Sequence, residues 1–125
     1  MSLLLDTHVL LWWLADDPTL SRDARSAIAD ADSFVFVSAA SAWEIAIKQS
    51  IGKLEAPSDL EEQLAFHRFE PLPITIAHAY AAGFLPHHHD DPFDRMLVAQ
   101  AAGEGLTIVT RDPRIGRYGV PTLTA

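Results

Sequence analysis

Short apolar runs recur along this chain, and stretches of helical character separate them. The clearest runs are "SLLLDT" near the start, "SFVFVS" from Ser33 and "LTIVT" from Leu106. Strands that take turns with helices predict a parallel sheet, because neighbouring parallel strands need a crossover rather than a tight turn. The runs are continuously apolar instead of alternating, as expected for strands covered on both faces. The fold class expected is α/β, a three-layer α/β/α arrangement around a central, mainly parallel sheet. With 125 residues, of which 49% are hydrophobic, residues 1–125 are expected to form one domain.

Between the runs, boundary signals divide the chain. "HVLLWWLA" reads as a short helix entered directly from the first strand, and "SRDARSAIADA" as a helix capped by Ser21. "SAWEIAIKQSIGKL" reads as a long helix closed by Gly52, and "SDLEEQLAFHR" as one capped by Ser58. "FEPLPIT" is a strand with prolines near its ends, "TIAHAYAAGF" a helix, and "PFDRMLVAQAAGEG" a helix with a glycine-rich end. "VPTLT" is a short final segment. The segment "VLLWWLA" is apolar on every side, which fits either a core helix or a surface covered by another chain. The apolar stretches Ser2–Leu5 and Val9–Ala15 fall well short of the ~20 residues of a membrane span. Without a basic n-region before them, a cytoplasmic protein with no membrane partner is expected.

Four acids stand at telling places. Asp6 ends the first strand, Glu44 lies early in the helix after "SFVFVS", Asp94 opens the helix after "LPHHHDDPFDR", and Asp112 follows "LTIVT". Each has a local explanation. Asp6 suits a helix cap, Asp112 an Asx turn before Pro113, Glu44 a capping box with Ser41, and Asp94 the third helical position after an Asp91 cap and Pro92. Jointly they say more, since loops at the carboxyl ends of parallel strands converge on one crevice. Helical periodicity puts Trp43, Ile47, Ala40 and Ile51 on one apolar arc with Glu44 at its edge, bordering the core. A local partner for Glu44 is Lys48, four residues on.

Carboxylates that converge need a counter-charge. Two anions ~4 Å apart repel by about 4 kcal/mol at an effective dielectric near 20, so four cannot share a pocket ionised without a cation. The chain has no cysteine, so no thiolate site exists, and an all-oxygen site suits Mg²⁺ or Mn²⁺. Such an ion lowers the pKa of water and neutralises charge on a phosphodiester, the chemistry of a nuclease.

The order Asp, Glu, Asp, Asp, carried as "LLLDTH", "SAWEIAIK", "HHDDPFDRMLVAQA" and "IVTRD", resembles the PIN-domain ribonucleases. It looks most like the VapC-like toxins of toxin-antitoxin pairs, in the subgroup with "DTH" and "H-x-D-P-F-D-R". The resemblance runs from Leu3 to about Arg114. It implies that Asp6, Glu44, Asp94 and Asp112 hold Mg²⁺ or Mn²⁺ and cut single-stranded or looped RNA. It also implies that Thr110, and Thr7 beside Asp6, order the acids through their hydroxyls. A small antitoxin and a second copy of the chain are the implied partners. Many members carry a further acid three residues beyond the fourth, but Ile115 stands there.

Basic residues gather near two of the acids. Arg95, Arg111, Arg114 and Arg117 are four of the nine Lys and Arg residues in a chain of net charge −8, which excludes a broad basic surface but not a local one. Arginine suits bidentate phosphate contact, so Arg111 first and Arg95 second are the expected RNA contacts, with surface ion pairing as the competing role. Two other classes remain open. A Mg²⁺-binding receiver domain would need an Asp after a central strand, which "SFVFVSA" lacks. A non-catalytic module with a metal on the histidine tract could use only His87 and His89 together, since residues in extended chain alternate sides. In the nuclease reading His89 is a hydrogen-bond partner of the acids.

Overall fold

A computed structural model describes residues 1–125. Five strands form one sheet: β1 (Ser2–Leu5), β2 (Phe34–Ser38), β3 (Glu70–Leu72), β4 (Thr107–Thr110) and β5 (Thr122–Thr124). Their order is β3-β2-β1-β4-β5 and every pairing is parallel. Seven helices connect them: α1 (Thr7–Leu14), α2 (Arg22–Ala29), α3 (Ala39–Ser50), α4 (Leu60–Phe66), α5 (Ile76–Gly83), α6 (Pro92–Glu104) and α7 (Pro113–Gly116). "VPTLT" therefore supplies a fifth strand. No helix is long and apolar enough to cross a membrane.

The two-residue period of the strands divides the core in two. Leu3, Leu5, Val35, Val37 and Val109 face one layer, where Val9, Leu10, Ala24, Ile28, Ile45 and Leu64 from α1 to α4 meet them. Leu4 and Ile108 face the other, against Leu97, Val98 and Ala101 of α6 and Ile115 of α7. The three layers follow directly from strands that are apolar on both faces. Ile115 is fully buried in the second core, so this position, three residues beyond the fourth acid, serves packing.

Chain direction reverses at β1. Successive strands run outward to β2 and β3 on one side, then return to β4 and β5 on the other. The crevice of such a sheet lies beyond the carboxyl ends of the two strands at that switch, here β1 and β4. Asp6 follows the first of them and Asp112 the second.

Three local expectations need correction. Ser38, not Ser41, caps α3, its hydroxyl accepting from the Ala40 amide at 3.0 Å, so Glu44 is no partner in a capping box. Asp59, not Ser58, precedes α4 and makes no side-chain cap bond. The apolar arc of α3 points outward. Trp43, Ile47 and Ile51 are exposed, while Ala40, Ser41, Glu44 and Ile45 are buried. Glu44 thus faces inward, as its place at the edge of the arc indicates, beside the buried Ala40, while the arc's large apolar side chains turn out. On α1, Val9 and Leu10 are core, whereas Leu11 to Leu14 are half-exposed. Leu11, Trp12 and Leu14 line an open groove with Leu54, Ala56 and Pro57.

Candidate metal centre at the carboxyl edge of the sheet

Two of the four acids cap the helix that directly follows their strand, and a third lies on the first turn of a helix. Asp6 is the N-cap of α1 and accepts from the Val9 amide at 2.8 Å. Asp112 caps α7, accepting from the Arg114 amide at 2.9 Å. Asp91 caps α6 through the Phe93 and Asp94 amides, with Pro92 at the first helical position and Asp94 on the first turn. The local and the joint explanations of these acids are therefore compatible, since one carboxylate oxygen serves the cap and the other faces the crevice.

Hydroxyls and an imidazole tie the acids together. Thr7 Oγ1 donates to Glu44 Oε1 at 2.7 Å and lies 3.0 Å from Ser41 Oγ. Thr110 hydrogen bonds to Asp6, and its hydroxyl accepts the Asp112 amide at 3.0 Å. His89 Nε2 bonds to Asp112 Oδ2 at 2.9 Å and stands 2.9 Å from Asp94 Oδ2. The potential ligand atoms of His89, Asp94 and Asp112 all lie within 4.8 Å of one another. Asp6 and Glu44 stand outside that closest trio, but their charges act on Asp94.

The electrostatics are uneven. Burial lifts Asp94 to about 6, with repulsion from Asp91, Asp6 and Glu44 adding to it and His89 opposing. No donor in the chain makes an aligned hydrogen bond to the Asp94 carboxylate, whereas its neighbours are well supplied. Asp6 is also raised by burial, although Thr110 and the Val9 amide offset part of this. For Asp112 burial acts upward too, yet hydrogen bonds from the Arg114 side chain and amide and from His89 outweigh it, holding the carboxyl at about 2. Arg114 grips Asp112 with Nε at 3.2 Å and Nη2 at 3.0 Å. Lys48 meets Glu44 Oε2 at 2.7 Å. An anionic pocket in which Asp94 has the His89 imidazole 2.9 Å from its Oδ2 and no cationic side chain against it is chemically suited to a cation. The groups facing it are carboxylates, which suit a hard divalent ion, and the His89 imidazole.

The arginines differ from expectation. Arg111 Nη2 donates to the carbonyls of Thr19 and Ala125 at 2.6 and 2.7 Å, and its guanidinium lies 4.2 Å over the Trp12 ring. Arg95 donates to the carbonyls of Ala82, Leu85 and Pro86 at 3.0 Å each, fastening the loop before α6. Both are committed to the chain's own backbone, so neither is carried forward as a phosphate contact. Arg114, named only among the general basic set, is the guanidinium beside the acids. Sequence reasoning also missed Ser41 and Tyr118, whose hydroxyl accepts the His89 amide at 3.0 Å. Nothing in their local pattern marks them. The histidine tract does not gather: His87 and His88 are exposed while His89 is buried. A receiver-type acid is absent as well, because β2 ends in Ser38.

Comparison with known proteins bears on the family and the fold. The PIN domain family pattern matches residues 3–121. The chain is 36% identical over 124 residues to ribonuclease VapC22 of Mycobacterium tuberculosis, covering 96% of this chain and 94% of that one. Among solved structures it is similar to VapBC2 from Rickettsia felis bound to a promoter DNA fragment, with a TM-score of 0.73 at 15% identity, covering 99% and 98% of the two chains. DNA-bound VapBC from Salmonella typhimurium gives a TM-score of 0.70 at 21% identity over 99% and 98%. At such identities these two structures speak for the fold alone. Family pattern, relative and fold agree, and the chain belongs to the PIN-domain family, in its VapC-like branch.

Proposed function

We propose that this protein is a divalent-metal-dependent ribonuclease that acts as the toxin of a toxin-antitoxin pair. The observation that carries the reading is the cluster of acids around Asp94, which lies beside Asp112 at the switch point of the sheet, feels the charges of Asp6 and Glu44, and has the His89 imidazole 2.9 Å away. Asp6, Glu44, Asp94 and Asp112 would hold Mg²⁺ or Mn²⁺. The bound ion would supply a lowered pKa for water and neutralisation of charge on a phosphodiester. The chain's own contribution is positional. Thr7 aims Glu44, Thr110 joins Asp6 to Asp112, Asp6 and Asp112 are held as caps of their helices, and the Asp91 cap fixes the turn that carries Asp94. Arg114 is half-exposed and is the guanidinium best placed to meet an RNA phosphate at the rim.

The company of the fold supports a small antitoxin as partner, since similar solved structures are toxin–antitoxin complexes. A homodimer is supported by two stripes of exposed apolar residues. Trp43, Ile47 and Ile51 on α3, and Ile76, Tyr80 and Phe84 at the same four-residue spacing along α5, are all exposed. Both helices pack on α6, and exposed apolar stripes of this kind mark interaction surfaces.

The reading is tested with purified protein and a single-stranded RNA. Cleavage is expected with Mg²⁺ or Mn²⁺, abolished by chelation, and reduced on the order of 10²–10³-fold in Asp6→Asn and Asp94→Asn. Cleavage that survives both substitutions and the chelator would sink it.

A further inference from the structure

His89 lies against both Asp94 and Asp112, and the closest trio of potential ligand atoms includes its Nε2. Its position is held from several directions. The side chain is buried, its amide donates to Tyr118 Oη at 3.0 Å, and its carbonyl lies 3.5 Å from Arg95 Nη1. The far side of the ring decides its chemistry. Nδ1 accepts the Asp91 amide at 3.1 Å. A backbone N–H can only donate, so Nδ1 carries no proton, and the single proton of the neutral ring is on Nε2.

Histidines that bind metal show the opposite arrangement. They donate the other ring N–H to a carbonyl or carboxylate, which leaves the ligating nitrogen's lone pair free. In His89 the other nitrogen faces a donor, and Nε2 spends its proton on Asp112 at 2.9 Å, with Asp94 at the same distance. For Nε2 to ligate an ion, the proton would have to move to Nδ1, costing the Asp91 amide its acceptor, or the ring would have to lose its one proton. Resting on the nuclease reading above, we propose that His89 is a positioning residue: its Nε2–H holds Asp112 alongside Asp94, and it gives no ligand to the metal. The donor set is then carboxylate oxygen alone, which favours Mg²⁺ and Mn²⁺ over metals that prefer imidazole.

The amide that sets this tautomer belongs to Asp91, whose side chain also caps α6 through the Phe93 and Asp94 amides. One residue therefore orients the imidazole with its backbone and the Asp94 turn with its carboxylate. That coupling gives "H-x-D-P-F-D" a physical reason for its spacing, since His89, Asp91 and Asp94 form one hydrogen-bonded unit.

The test uses the full-length protein. Nitrogen-15 NMR of the wild type should show His89 as the Nε2–H tautomer both without metal and with saturating Mg²⁺. Pulsed EPR of the Mn²⁺ complex should show no directly bonded nitrogen. By calorimetry, His89→Leu should bind Mn²⁺ about 10–100-fold more weakly, the range for loss of a residue that orients ligands. His89→Gln, which can place an N–H donor near the Nε2 position, should recover most of that loss. A bonded-nitrogen signal on Mn²⁺, an Nδ1–H tautomer, or unchanged Mn²⁺ affinity in a folded His89→Leu protein would each overturn the proposal. If the wild type binds no Mn²⁺ at all, the nuclease reading and the metal half of this proposal fall together, and the metal-free NMR spectrum still decides the hydrogen-bond arrangement.

Discussion

At the scale of single residues, the acids of the site carry opposite protonation biases a few ångströms apart. Asp94, raised by burial to about 6 from an ordinary 3.8, favours the folded state when protonated. Its contribution is fully present below pH 3.8 and is lost as pH rises through about 6. Asp112, held at about 2 despite burial by Arg114 and His89, contributes in the other direction, present above 3.8 and lost as pH falls through about 2. Denaturant midpoints of the metal-free protein should therefore show a fall between about pH 4 and 6 that is flattened in Asp94→Asn. That variant should be more stable than wild type at neutral pH without metal, and equal stability of the two would contradict the burial argument. All four acids stood out in the sequence, because Asp6, Asp94 and Asp112 cap or open a helix and Glu44 follows a strand by less than two helical turns. Their unequal state was not, since burial and the approach of Arg114 and His89 depend on which segments meet.

At the scale of elements, the ends were more legible than the faces. Ser21, Asp6, Asp91 and Gly105 terminate helices as their chemistry indicates. Gly105 ends α6 in the left-handed region, with φ +70° and no atom within 4 Å of the place a Cβ would occupy. Its replacement by Ala meets no clash and should cost about 1–2 kcal/mol for the backbone conformation alone, read as a lowered unfolding free energy. A loss near zero would mean that the turn relaxes. Truncation inside the sheet is costlier: Ile108→Ala removes a fully buried side chain between β1 and α6 and should cost about 2–5 kcal/mol by the same measurement. The face of α3 was misjudged for an identifiable reason. Apolar periodicity assumes that apolar residues turn inward, but the inward side of α3 carries Ser41 and Glu44 for the site, and its tryptophan faces out.

For the molecule as a whole, that outward face is where the proposed homodimer is to be tested. Trp43 is 63% exposed and Tyr80 70%, and the Trp43 ring meets Phe93 edge-on at 5.4 Å, which makes a continuous surface across α3 and α6. Trp43→Glu with Tyr80→Glu should convert a dimer to a monomer in sedimentation measurements while leaving the unfolding transition of the monomer in place. An unchanged mass would remove this face as the contact. The three-layer parallel fold could be read from the sequence because strands buried on both faces must be apolar throughout, and because parallel neighbours require crossovers. The four acids could be singled out because three of them follow strands whose ends share one crevice, and the fourth opens a helix that feeds another strand. Which charges meet inside it could not. Arg111 reaching Thr19 and Ala125, Arg114 closing on Asp112, and the Asp91 amide setting the tautomer of His89 are contacts of direction and distance. A linear pattern determines which groups a chain possesses and where its elements start. Only tertiary packing decides which partner each group finds first, and here that choice set the His89 imidazole between Asp94 and Asp112.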